Sequence, residues 1–468
     1  MIVNRKSMIS MAIVMAMLLL TALSGCSGGV GDSGSNSAAA GSQSNPAGEG
    51  AKAVTIKFMA EASGVTDAME SLIPDFEQKT GIKVEVEKYP YDTVVQKAML
   101  DFTSGTRIYD VLSLPYEFLG RVVEKGYIQD IEKFLADKSL TPEDFDADDI
   151  IPAMWKASAS WKDKYYGFPS NACIMFLWYR KDLLDNEGEK AAFKSRYGYE
   201  LAVPKTTKEY YDVTEFFTRK AGEKLAGETL ADNFYGLATM SKRHTALTCD
   251  FLNWMWTFDG GVFDGGRDSG KVAMNSANNL KALDYYKSLL KNAVPGSLEY
   301  TWDELVTAMQ QGIIFSAVGF NDCLPSILDS SKSKVVGKLG YALTPSEAKT
   351  AAHYGAWTYT IPTGSNNPEA AYRFMTWAVS KDTQKNWTLQ GGIPCRESVY
   401  NDPDVKKIEF MPMTLEAMQI SDSRPRIAEW GEMDTIMQEE VHKALTNQIQ
   451  TKEALDNIQA QYEKILNK

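Results

Sequence analysis

The sequence predicts an α/β fold built on a parallel sheet, and three observations carry that prediction. Val54, Ile56 and Phe58 alternate with Thr55 and Lys57, the period of a half-buried strand. Met69, Leu72, Ile73 and Phe76 recur at helical spacing. Ile82, Val84 and Val86 then alternate with Lys83, Glu85 and Glu87. Strand, helix and strand in that order make a βαβ unit, whose two strands run parallel.

Each element has its own local reason. A capping box, Asp67-x-x-Glu70, is expected to support the first helix, Pro74 to kink it and Gly81 to stop it. A second helix carries Val94, Val95, Ala98, Met99 and Phe102 and leads to the short apolar strand Val111–Leu114. Ligand contacts belong in the loops at the carboxyl ends of such strands. Further on, Asn367-Pro368-Glu369 opens a helix, with Asn as cap, Pro in the first turn and Glu at the positive end of the dipole. Helix is expected again from Ile427, with Met433, Ile436, Met437, Val441 and Leu445 on one side. Thr451 is expected to cap a last helix bearing Leu455, Ile458, Tyr462 and Ile465. No internal repeat is found.

Two segments precede this body. Arg5 and Lys6 come before Met11–Leu20, ten residues with no polar side chain, and then Leu23-Ser24-Gly25-Cys26. A charged start, a short apolar stretch and small residues form a signal peptide, too short for a span of about 20 residues. The ending resembles the bacterial lipobox, which implies cleavage before Cys26, lipidation of Cys26 as the new N-terminus and a chain held at the lipid bilayer on its outer face. An ordinary secretory peptide with an incidental cysteine is the simpler alternative. In Ser27–Gly50, 19 of 24 residues are Gly, Ser, Ala or Asn. Such a tether cannot bury enough apolar area to order itself, and as a coil it spans roughly 25–30 Å.

Composition narrows the function. Residues 1–26 contain no acid, so removing Arg5 and Lys6 takes the net charge from −12 to −14. A body this acidic does not suit nucleic acid, which needs concentrated Lys and Arg. From Ala51 some 418 residues remain, enough for about two or three domains. Ten Trp and 22 Tyr supply the flat apolar faces on which the C–H side of a sugar ring packs. Cys173, Cys249, Cys323 and Cys395 contain no C-x-x-C pair; they allow three pairings or four free thiols. His244, His353 and His442 show no metal spacing, and neither a metal nor a cofactor is expected. Gly265-x-x-x-x-Gly270-Lys271 imitates a phosphate loop, but Val272 stands where a hydroxyl would hold magnesium and no apolar strand precedes it.

Read in order, the motifs resemble the extracellular solute-binding proteins of bacterial ABC importers, the family that includes the maltose-binding protein. The pieces are Phe76-Glu77-x-x-Thr80-Gly81-Ile82-x-Val84, Tyr109-Asp110-Val111, Gly126-Tyr127-Ile128-x-Asp130-Ile131 and Tyr166-Gly167-Phe168-Pro169. Trp178-Tyr179-Arg180-Lys181-Asp182-Leu183-Leu184 and Pro204-Lys205-Thr206-x-x-Glu209-Tyr210 follow, the latter with Thr207 in place of the usual Trp. Gly260-Gly261-x-Phe263-Asp264, Asn367-Pro368-Glu369-Ala370-Ala371-x-x-Phe374 and Gly391-Gly392-Ile393-Pro394 complete the series. The resemblance implies the type II periplasmic-binding-protein fold: two α/β lobes joined by crossing strands that close on ligand like a hinge. The lobes would be 52–170 plus 345–394 and 171–344 plus 395–468, with crossings near Phe168–Cys173, Leu343–Pro345 and Ile393–Arg396.

It also implies a function: a monomer that captures a carbohydrate without chemistry and delivers it to the permease of an ABC importer. Candidate contacts follow from the same positions. Glu61 lies past the first strand, Tyr116 and Glu117 past the Val111–Leu114 strand, and Asn171 at the first crossing. Trp256 precedes Gly260-Gly261, although a Trp at helical spacing is more often core. Asn321 and Asp322 follow the apolar run Ile313–Val318, and a carboxylate there suits two adjacent hydroxyls. Trp357, in Gly355-Ala356-Trp357, stands where the family stacks a ring on the ligand, and Arg396 follows Gly-Gly-Ile-Pro-Cys. Asn171-Ala172-Cys173 and His244–Cys249 resemble the branch that binds sugar alcohols and small sugars. Two rivals stand beside this reading. A glycan hydrolase needs a carboxylate pair roughly 5–10 Å apart, and a sensor would report the same closed form to a membrane kinase.

Overall fold

The computed structural model describes residues 54–268 and 270–467; Cys26, the apolar leader and the Ser27–Gly50 tether lie outside the described residues. The βαβ unit is present. Strands Thr55–Glu61 and Lys83–Tyr89 run parallel in register, from Thr55 opposite Lys83 to Glu61 opposite Tyr89. Helix Gly64–Thr80 joins them and ends at Gly81, whose φ of 72° no β-carbon obstructs.

Three helix starts differ from expectation. The first helix begins at Gly64, ahead of Asp67, with no side-chain cap. Asp67 and Glu70 instead hold the Lys88 ammonium, each at 2.6 Å, because a lysine on the adjoining strand offers them a full charge. The helix also runs through Pro74 unbroken. Asn367 occupies the cap of helix Pro368–Ala378 without bonding it. Its amide nitrogen reaches Thr55 O at 3.4 Å, tying the helix to the first strand. The helix expected from Ile427 spans Trp430–Leu445. Thr451 is the first residue of the last helix and not its cap, and its hydroxyl donates to Asp284 at 2.6 Å.

Two sheets organise the described residues. The first has the order Lys83–Tyr89, Thr55–Glu61, Val111–Pro115, Trp357–Thr360, Phe168–Asn171. The first three strands are parallel, and Trp357–Thr360 is antiparallel to both its neighbours. Phe58 packs on Phe374 (ring centroids 5.3 Å apart) and Tyr359 (5.6 Å), which closes helix Pro368–Ala378 over this sheet. The second sheet has the order Tyr235–Leu237, Ile314–Phe320, Met175–Arg180, Leu339–Ala342. Ile314–Phe320 is buried along its whole length. So is helix Thr245–Thr257, whose buried Asp250 and Asn253 are paired: Asp250 accepts from Met240 N–H at 2.9 Å and Asn253 donates to Thr344 at 3.2 Å.

The chain passes between the sheets twice in the middle of the fold. It leaves the first at Asn171 and enters the second at Met175. It leaves the second at Ala342 and re-enters the first at Trp357. These segments lie side by side: Ile174 bridges Tyr354, and Gly355 N–H donates to Cys173 O at 2.8 Å. Among the described residues no helix is long and apolar enough to cross a membrane.

Candidate functional site

Where the strand ends of the two sheets meet, a cavity of about 290 Å³ opens. Glu61, Pro115 and Trp357 reach it from the first sheet, Phe320 and Asp322 from the second, and Cys173, Gly355 and Ala356 from the crossing segments. Helix Thr245–Thr257 contributes Thr245 and Cys249, and the start of helix Trp302–Gln311 contributes Trp302 and Asp303. Arg424 supplies the far wall.

The apolar face is aromatic. Tyr91 meets Trp357 edge-to-face at 5.6 Å and Trp302 at 5.5 Å. Trp302 in turn meets His244 at 4.9 Å. Tyr91 opens helix Tyr91–Ser104, so three distant parts of the chain hold one ring cluster in place. Packing each ring against the next fixes its angle, and a ligand then finds rigid faces.

The polar face is acidic. Asp322 accepts from Asn171 Nδ2 at 2.8 Å, yet burial still pushes its carboxyl up to about 6. Burial first, then the charges of Asp322 and Asp303, holds Glu61 well above the usual carboxylate range. Burial likewise raises Asp303. The cation on the opposite wall is already spent: Arg424 Nη1 lies 2.6 Å from Glu117 Oε1 and 3.2 Å from Thr245 Oγ1. Its guanidinium also stands 5.2 Å from the Tyr116 ring centre, and its backbone N–H donates to the Tyr116 hydroxyl at 2.8 Å. Glu117 accepts a second bond from the Tyr91 hydroxyl. The Tyr116–Glu117–Arg424 group therefore braces the wall and the aromatic cluster together.

A recess of about 20 Å³ adjoins the cavity, sharing Glu61, Ser63 and Trp357 with it; its polar lining adds Thr66, Ser113, Ser170 and Asn171. Ser113 and Ser170 bond each other at 3.0 Å. Asn171 Oδ1 is buried with no partner among the described residues.

The structure thus brings Glu61, Asp322 and Trp357 into one cavity, puts Asn171 at its recess, and sets Tyr116 and Glu117 behind its wall. Three other candidates point elsewhere. Trp256 stacks on His353 at 5.2 Å and lines a separate pocket beside Arg267, because its helix turns that face away from the cavity. Asn321 accepts from Ile174 N–H at 3.0 Å and donates to Thr414 at 3.1 Å, so it locks a turn. The Arg396 guanidinium is buried against Phe145 O (2.7 Å), Asp146 O (2.8 Å) and Asp149 (3.2 Å); it neutralises that loop and is out of reach of the cavity. Cys173, Cys249, Cys323 and Cys395 are all free. The first three line the cavity, and burial keeps them as neutral thiols, Cys249 pushed up to about 12. Trp302, Asp303 and Arg424 had no motif to mark them. Among the described residues no group of three or more His, Cys, Asp or Glu side chains could hold a metal ion.

Comparison with known proteins gives this geometry a context. The family model described as bacterial extracellular solute-binding protein matches residues 71–412. A solved ABC transporter solute-binding protein from Agrobacterium radiobacter K84, in complex with ribitol, is 27% identical with a TM-score of 0.76, over 88% of this chain and 98% of that one. A probable amino-acid ABC transporter periplasmic-binding protein from Sinorhizobium fredii is 23% identical, over 88% of this chain and 89% of the relative. The erythritol/L-threitol-binding protein of Mycolicibacterium smegmatis is 24% identical, over 76% of this chain and 72% of the relative.

Proposed function

The chain belongs to the bacterial extracellular solute-binding proteins, and from that premise we propose that it captures one small polyhydroxylated solute, a sugar or sugar alcohol, for an ABC importer. Its fold is the two-lobed type II arrangement of the binding proteins it superposes on. The observation that carries the reading is the cavity itself: aromatic faces from Trp357, Tyr91 and Trp302 set against the carboxylates of Glu61 and Asp322. A polyol has an apolar C–H face and a hydroxyl edge, and it needs those two surfaces at once. An engineered cavity of about 150 Å³ accepts one benzene ring. On that scale 290 Å³ suits a hexitol or one to two sugar rings and is too small for a long oligosaccharide.

We take residues 52–170 plus 345–394 as one lobe and 171–344 plus 395–468 as the other, with the crossing segments as hinge. The solute binds to one lobe, and closure buries it beneath the other. The permease then recognises the closed form, whose population the solute raises by its differential affinity. Lipidation at Cys26 and the Ser27–Gly50 tether keep the protein, a monomer, at the outer face of the membrane. Glu61 and Asp322 in one cavity also meet the residue requirement of a glycan hydrolase, so the test must follow the solute as well as the protein.

That test is thermal unfolding against sugars, polyols, oligosaccharides, amino acids and peptides, with recovery of the bound solute. A solute at about 100 times its dissociation constant adds roughly 2.7 kcal/mol to stability. A raised melting temperature with a carbohydrate recovered intact is expected. Stabilisation by amino acids alone would replace the solute class, and recovery of a cleaved glycan would replace binding by catalysis.

A further inference from the structure

Two of the three carboxylates at the polar end of the cavity carry no bonded donor among the described residues. No hydrogen bond or ion pair reaches the Glu61 carboxylate from the described residues, and none reaches that of Asp303. Asp322 accepts from Asn171 Nδ2 at 2.8 Å and from the Cys173 thiol, while Asn171 Oδ1 is buried with no partner among the described residues. Asn171 is only 5% exposed and lines the recess beside Glu61. The Ser113–Ser170 pair uses one hydroxyl hydrogen on itself and leaves one. Arg424 does not redress the charge, because Glu117 already holds it at 2.6 Å.

Resting on the carbohydrate reading, we propose that the solute is cationic, an amino sugar or amino polyol, and that the recess beside Glu61, Asn171 and Asp322 seats its protonated amine. A primary ammonium offers three N–H donors, no lone pair and a positive charge, which suits the unbonded Glu61 carboxylate, the orphaned Asn171 Oδ1 and the neighbouring Asp322 carboxylate. A hydroxyl offers one donor and no charge. A carboxylate on the solute adds repulsion. The recess volume, about 20 Å³, matches a group of one heavy atom, since a water needs roughly 10–15 Å³ on the same measure. An ammonium among these carboxylates also offsets the repulsion that Asp322 and Asp303 exert on Glu61.

Two matched series test this by calorimetry at neutral pH. The open-chain set is glucamine, sorbitol and gluconate; the ring set is glucosamine, glucose and glucuronate. In at least one set the amine is expected to bind tenfold or more tighter than the neutral member, and the acid to bind weakest. Glu61→Gln and Asp322→Asn, both isosteric, should each cost the amine tenfold or more in affinity and narrow its margin over the neutral member. A neutral member that matches or exceeds its amine in both sets overturns the inference and leaves the carbohydrate reading standing. If no member of either set binds, the inference falls; amino acids binding in their place would bring down the carbohydrate reading as well.

Discussion

Trp357 is the residue on which the apolar wall turns. It opens strand Trp357–Thr360, is 7% exposed, and shows its ring to the cavity while Tyr91 holds its edge at 5.6 Å. Trp357→Ala removes the largest flat face from the solute. We expect a dissociation constant weaker by about 10–100-fold, a loss of roughly 1–3 kcal/mol, with the helical signature of the fold retained. Titration calorimetry checks it, and unchanged affinity would remove Trp357 from the site. Resemblance to the family's motifs made Trp357, Glu61 and Asp322 candidates, since each stands at a position where the family meets its ligand. Arg424 was not legible in the same way. It meets Tyr116 across 308 positions of chain, and no periodicity or motif encodes a contact of that range. Trp256, Asn321 and Arg396 show the converse limit: motif position does not say which way a side chain turns, and all three turn into packing.

At the scale of elements, the crossing segments join the sheets and also floor the cavity. Gly355 allows this. A β-carbon there would lie 2.9 Å from the Phe320 ring and 3.0 Å from Cys173 Sγ, so either the two side chains move into the cavity or the segments part. Gly355→Ala is expected to cost about 1–3 kcal/mol through overpacking and to weaken solute binding together with it. Urea unfolding and calorimetry on the same variant check both, and unaltered values would show that the segments are not close-packed in solution. Strand and helix identity was legible here because burial on one face imposes a period. The exact helix starts were not. Asp67 and Glu70 had a local capping option and a distant lysine, and Lys88 won because an ammonium at 2.6 Å is a stronger partner than a neutral backbone N–H.

For the whole molecule, the account joins two α/β sheets, a cavity between their strand ends and paired crossing segments into one act of capture. The order of motifs along the chain made the family legible, because each motif marks a turn that the fold needs in sequence. The solute's chemistry was not, since it depends on which donors and acceptors remain unpaired once the chain has folded. The central claim is that the solute is held by closure of one lobe on the other. Small-angle X-ray scattering, with and without the solute that most raises the melting temperature, tests it most directly. At saturation the radius of gyration is expected to shrink, and on dialysis to return to the larger value. An identical radius at saturation would contradict capture by closure and leave a preformed pocket in its place.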